Sequence, residues 1–291
     1  MTKSTSKYIV NRKHFIPFIM AGDPSEGDTI QIALSLQKAG ATVLELGVPY
    51  SDPLADGPVI QRASSRARKQ GMNIEKAIML GKKLKENGVK IPIILFTYFN
   101  PVLKLGTNRF FALMRQNEID GLLIPDLPFE ESETLREQCK ENMIDYISLV
   151  APTSDSRIEM IAKSATGFLY CVSSLGVTGE RSKFEKNIQT FLHKVKTLSN
   201  VPVVVGFGIS KHEHVETFNQ ISDGVVIGSA IIRKIEELIP SIQNASLKRE
   251  GLLQFEKYLH ELLSSKDERG ALHDNQGTVE RVEALSTGKT D

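Results

Sequence analysis

Two cysteines, Cys139 and Cys171, are all that this chain of 291 residues carries. They are too few for a disulfide framework and lack the Cys-x-x-Cys spacing of zinc and redox sites. Net charge is scarce as well. Against 36 Lys plus Arg stand 35 Asp plus Glu, which leaves no strongly basic face for nucleic acid or a membrane surface, although a small anion could still bind. No run of about eighteen apolar residues occurs, and the opening MTKSTSKYIVNRKHF holds none of signal-peptide length. Gly-x-Gly-x-x-Gly and P-loop patterns are missing, so a dinucleotide or nucleoside triphosphate site is not indicated. These absences lead us to expect a soluble, cytoplasmic protein.

What is present is an alternating pattern. Hydrophobic residues make up 41% of the chain, ample for one large core. Short runs rich in Val, Ile, Leu, Phe and Tyr predict eight strands, over 15–20, 42–47, 92–97, 121–124, 145–150, 167–172, 201–205 and 224–227. Most are continuously apolar rather than alternating, as strands buried on both faces are. Each leads into a polar loop and a segment of helical spacing. Gly40, Gly71 and Gly88 read as C-terminal helix caps, while Thr153-Ser154-Asp155 and the Ser210-x-x-Glu213 box read as helix starts. Eight βα units favour a closed (β/α)8 TIM barrel over an open sheet. The second connection is longest and should add a helix around 59–71; the loop after the sixth strand, SSLGVTGERSKFEKN, is the other long one. We expect one barrel domain over 1–263 and a polar tail over 264–291, disordered apart from a weak helix over 279–285.

Barrels carry their chemistry on the loops after their strands. Residues 44–58, LELGVPYSDPLADGP, end an apolar strand that holds Glu45 and enter a loop that holds Asp52 and Asp56. A strand glutamate is costly to bury unless it is paired or used. The predicted strands offer almost no cation to pair with it, which favours use. Two glycine motifs, Gly206-Phe207-Gly208-Ile209-Ser210 and Ile227-Gly228-Ser229-Ala230-Ile231, follow the last two strands. With a helix starting near Ser229 they would aim N–H groups at a phosphate, and Thr178-Gly179 could add donors. Glycines there could also simply permit tight turns. Phe18, Tyr98 and Tyr170 read as core aromatics or as the walls of an apolar slot. Cys171 reads as packing, and His212 and His214, two apart on a helix, as exposed residues rather than metal ligands.

The stretch LELGVPYSDPLADGP resembles the motif of the tryptophan synthase α-subunit family. The resemblance continues through PFIMAGDP, FTYFNP, IPDLPFEE, SSLGVTG, GFGIS and IGSA in the family's order, over roughly residues 12–262. It implies a (β/α)8 barrel that splits indole-3-glycerol phosphate into indole and glyceraldehyde 3-phosphate. It also implies a β-subunit partner in an α2β2 heterotetramer, with pyridoxal phosphate in the β subunit and no cofactor in this chain. Carried over residue by residue, Glu45 and Asp56 are the catalytic pair. Phe18, Tyr98, Tyr170, Thr178, Phe207, Gly208, Gly228 and Ser229 line the site, with Gly179 beside them. Pro49, Asp52, Asn100 and Pro128 fall near the partner, although Asp52 could instead cap the following helix, and plain turn chemistry would also account for Asn100 and Pro128.

Retro-aldol chemistry explains the two carboxylates. An acid must protonate indole C3, a base must take the side-chain hydroxyl proton, and an anion must stabilise positive charge on the indole nitrogen. We expect Glu45, on a rigid strand among apolar neighbours, to have a raised pKa and to move the protons. Asp56, on a polar loop, should stay ionised and hold the indole N–H. Thr178 is expected to meet Asp56 when the two long loops close, with Arg181 and Lys183 reporting that closure to trypsin. Rivals are another phosphosugar barrel enzyme, a catalytically silent activating subunit, and a free-standing lyase that releases indole.

Overall fold

The computed structural model describes residues 13–154, 157–172, 181–206 and 208–264. Thr178, Gly179, Phe207, Asp155 and the expected tail from residue 265 lie outside the described residues. Nine parallel strand segments form one sheet: β1 (His14–Met20), β2 (Leu44–Gly47), β3 (Ile93–Phe96), β4 (Gly121–Leu123), β5 (Asp145–Tyr146), β6 (Ser148–Val150), β7 (Leu169–Val172), β8 (Val203–Gly206) and β9 (Gly224–Ile227). Their order is β5-β4-β3-β2-β1-β9-β8-β7-β6. The two ends, β5 and β6, are separated in the chain by Ile147 alone. There the backbone stops pairing with β4 and starts pairing with β7, and the Ile147 N–H still donates to Leu122 O at 2.8 Å. The fifth predicted strand is thus two short pieces, and joining them closes an eight-stranded barrel.

The burial pattern explains the continuous apolar runs. All seven residues of β1 are buried, because one face points into the barrel and the other lies under helices. Ile16, Val43, Ile94, Leu123, Ile147, Phe168, Val204 and Val226, one from each of the eight strand positions, form a separate interior cluster. Small residues make room in that interior. A Cβ on Gly121 would run into Ile94, and one on Gly224 into His14.

Eleven α-helices are described: α1 (Glu26–Lys38), α2 (Pro58–Lys69), α3 (Ile74–Glu86), α4 (Phe99–Leu105), α5 (Thr107–Gln116), α6 (Glu133–Glu141), α7 (Ile158–Ser164), α8 (Arg181–Leu198), α9 (His212–Ile221), α10 (Ser229–Ile242) and α11 (Lys248–Leu263). Gly40, Gly71 and Gly88 follow α1, α2 and α3 at φ of 94°, 77° and 102°, as left-handed caps require. Helix α2 is the expected insertion after β2.

Two expected helix starts are corrected. Helix α9 begins after Lys211 with no capping side chain, so Ser210 and Glu213 form no capping box there. Helix α7 begins after Arg157, beyond a short 3-10 turn over Pro152–Ser154. From Arg181 the chain is already helical, where the sequence suggested loop. Helix α4 was not expected. Its first N–H, on Phe99, is capped by Asp126 Oδ1 at 3.0 Å from the loop after β4, a partner no local pattern reveals. Among the described residues no helix is long and apolar enough to cross a membrane.

Candidate active site

Strand alternation sets the floor of the site. Val43 belongs to the interior cluster, so Glu45, two residues on, faces the same interior, one step nearer the C-terminal mouth. Its register partners are Phe18 on β1 and Ile94 on β3. Glu45 is 1% exposed, and its Oε1 finds no hydrogen-bond partner among the described residues. Burial without a compensating cation pushes its pKa from 4.5 up to about 8. At pH 7 the group therefore holds a proton. Tyr170 is close enough for the Glu45 charge to push its phenol further up, on top of its own burial.

Aromatic rings pack beside Glu45, whose register partner on β1 is Phe18. The Phe18 and Phe96 rings meet edge to face, with centroids 5.3 Å apart. Glycine is required at two facing places: a Cβ on Gly47 would overlap the Phe18 ring, and one on Gly206 would overlap the Tyr170 hydroxyl. Phe96 and Gly47 were not singled out from sequence, although both stand at the strand ends where such a signal would lie.

Asp56 sits half-buried on the loop after β2. The Tyr98 hydroxyl donates to its carboxylate and lowers its pKa, but burial is the larger effect and raises it from 3.8 to about 6. This corrects the expectation of an ordinary loop aspartate, since loop polarity does not prevent desolvation by the barrel rim. At pH 7 Asp56 is still mostly ionised, and its pKa lies below that of Glu45. The order expected for an acid and an anion is preserved.

Tyr98 does more than line an apolar wall. It is 2% exposed, and its hydroxyl also accepts the Ala55 N–H at 3.0 Å, so one phenol holds both Asp56 and the adjacent backbone. Tyr50 packs on it with centroids 5.2 Å apart, and Asn100 Nδ2 donates to Tyr50 Oη at 2.9 Å. Ser64 on α2 completes the frame: its Oγ accepts the Tyr50 N–H and donates to Tyr50 O, both at 3.0 Å. Sequence reasoning missed Tyr50 and Ser64. Only the first lies inside the 44–58 stretch.

Two strands along from β2, past β1, Gly228 precedes α10, whose start has no capping side chain, and exposed Ser229 is its first residue. Gly208 takes φ of 73° on the loop after β8. The Gly228 Cα side lies against Phe18, where an added Cβ would meet Phe18 Cβ at an ordinary 3.5 Å. The turn at Gly228 therefore borders the Phe18 ring.

The remaining predicted residues divide. Asp52, Asn100 and Pro128 are exposed, and Pro49 is buried. Asn100 lies in α4 rather than in a loop. Asp52 does not cap α2, whose N-cap is Gly57. His212 and His214 are half-buried rather than exposed; His212 Nδ1 lies 3.2 Å from Leu262 O, and its Nε2 lies 3.2 Å from Glu216. Cys139 and Cys171 are buried and free, their thiols raised above the usual range by burial.

The family model of the tryptophan synthase alpha chain matches residues 5–262. The chain belongs to that family. It is 62% identical over 248 residues to the tryptophan synthase alpha chain of Bacillus subtilis, covering 85% of this chain and 93% of that one. The solved tryptophan synthase subunit alpha from Legionella pneumophila superposes with a TM-score of 0.77 at 30% identity, covering 89% of this chain and 99% of the other. A chain from the Pyrococcus furiosus tryptophan synthase α2β2 complex gives 0.75 at 34% identity, covering 90% and 99%.

Proposed function

We propose that this chain cleaves indole-3-glycerol phosphate to indole and glyceraldehyde 3-phosphate. Family membership supports the reaction, and the observation that carries the mechanism is Glu45, buried and without a cation on β2. Protonated Glu45 delivers its proton to indole C3, which makes the ring an electron acceptor. The bond from C3 to the glycerol chain then breaks as the adjacent hydroxyl loses its proton and becomes the aldehyde. The electron pair returns to the ring and restores indole. Glu45, now a carboxylate, is the base for the hydroxyl proton, so protons balance over one turnover.

Asp56 accepts the indole N–H and stabilises the positive charge that the ring carries midway, an interaction worth most where water is excluded. Phe18, Phe96 and Tyr170 enclose the ring. The phosphate rests against the turns at Gly208 and Gly228–Ser229, with Thr178, Gly179 and Phe207 assigned to the same rim by the motifs they belong to. Glu45→Gln tests the assignment: turnover should vanish while substrate binding persists, and near-normal turnover would refute it.

We also assign this chain a tryptophan synthase β subunit as partner in an α2β2 assembly, with pyridoxal phosphate in the β subunit, where indole would be consumed. Support comes from the α2β2 complex among the similar structures. The exposed rim around Asp52, Asn100 and Pro128 beside the mouth is the candidate contact. Mixing the purified chain with a β subunit should give mutual activation and a heavier species in the ultracentrifuge. Two independent sedimenting species with unchanged rates would leave a free-standing lyase.

A further inference from the structure

We propose that Glu236 is a positioning residue for Asp56, joining the helix that starts at the phosphate turn to the helix that follows the catalytic loop. This rests on the assignment of Asp56 and Ser229 to the site made above. Helix α2 begins at Pro58, two residues after Asp56, and Gln61 Nε2 in its first turn donates to Asp56 O at 2.7 Å. The backbone of Asp56 therefore moves with α2. Arg62 and Arg66 stand four apart on α2, on one face. Both reach Glu236 on α10: Arg62 Nε and the second guanidinium nitrogen at 2.9 and 2.6 Å, and Arg66 at 2.5 Å.

The remaining nitrogens of Arg66 fork onto Asp23, at the connection after β1, at 2.7 and 2.8 Å. Asp23 is 3% exposed. Three elements are thereby locked together by two guanidinium forks, a geometry that fixes distance and angle as single-point ion pairs do not. The two arginines hold the Glu236 carboxyl down to about 2, so the joint is charged throughout the working range.

Exposure decides which role this joint plays. The Arg62 side chain is 52% exposed and Glu236 is 26% exposed, and pairs so open to water add little to stability. Their value lies in placement. Glu236 is seven residues, about two turns, along α10 from Ser229. A phosphate seated at the start of α10 is thereby held at a set separation from Asp56 at the start of α2, and the indole N–H meets its carboxylate only when that separation is right.

Glu236→Gln, in the full chain assayed with indole-3-glycerol phosphate, should lower kcat by about tenfold while KM and the Kd for inorganic phosphate stay within about twofold. Arg62→Met, which breaks the joint from the exposed side, should lower kcat similarly, and the double variant should be no worse than Glu236→Gln alone. The control Glu159→Gln, which removes an exposed pair with Lys163 on another helix, should leave kcat unchanged. Unchanged kcat in Glu236→Gln and Arg62→Met, or equal losses in kcat and phosphate affinity, would overturn the proposal. Absence of cleavage by the unsubstituted chain would overturn the functional assignment and this proposal together, whereas normal cleavage by all variants would overturn this proposal alone.

Discussion

Glu45→Gln should make the protein more stable at alkaline pH even as it abolishes the chemistry. In the unfolded chain Glu45 ionises near its ordinary 4.5, whereas in the folded barrel it keeps its proton to about 8. Below pH 4.5 both states hold the proton and the group contributes no pH dependence. As pH rises from there to 8, the unfolded chain releases a proton that the folded one retains, and stability is lost by about 1.4 kcal/mol per pH unit. Between pH 5 and pH 8 the loss from this one group is about 4 kcal/mol, an upper bound that water entering the mouth would reduce. Glutamine keeps the shape and cannot ionise.

Urea unfolding at pH 5, 6, 7 and 8 measures this directly, because the midpoint reports stability when the slope is unchanged. The wild-type midpoint should fall with pH more steeply than that of Glu45→Gln, and the two curves should converge near pH 5. Curves that stay parallel from pH 5 to pH 8 would show that Glu45 does not titrate late, and the acid role assigned to it would fail. A functional residue that destabilises its own fold is what a trade of stability for activity looks like at one side chain.

Other outcomes follow from the same geometry. The kcat profile should be bell-shaped, rising as Asp56 ionises near pH 6 and falling as Glu45 loses its proton near pH 8. Tyr98→Phe removes the donor that lowers the Asp56 pKa and the acceptor of the Ala55 N–H; the acidic limb should move to higher pH, and stability should fall by about 1 kcal/mol on denaturant unfolding. Gly47→Ala puts a methyl into the Phe18 ring and should cost about 1–3 kcal/mol while raising KM for the indole substrate, read by calorimetry and steady-state kinetics.

Much of the barrel was legible because its strands are buried twice over. Segments such as HFIPFIM and GVVI carry continuous apolar runs for that reason, and their positions agree with the structure within a few residues at each end. Glycines after α1, α2 and α3 were legible because a left-handed residue follows each helix and glycine alone takes it without steric cost. Glu45 could be singled out because an acid in such a run has no cheap explanation.

What the chain determined by itself was therefore the alternation of strands and helices, the place of the long loop after β2, and Glu45 as a residue to watch, while the family resemblance chose Asp56 over Asp52 on the loop. Tertiary structure alone decided the handover at Ile147 that closes the ring, the capping of α4 by Asp126, the double duty of the Tyr98 hydroxyl, and the joint at Glu236. It also decided the electrostatics: Asp56 reads as an ordinary loop acid in sequence, and only burial at the rim raises it. Local pattern records what each residue needs from its immediate neighbours. Each of these other features depends on a group brought close by the closure of the barrel, from tens of residues away.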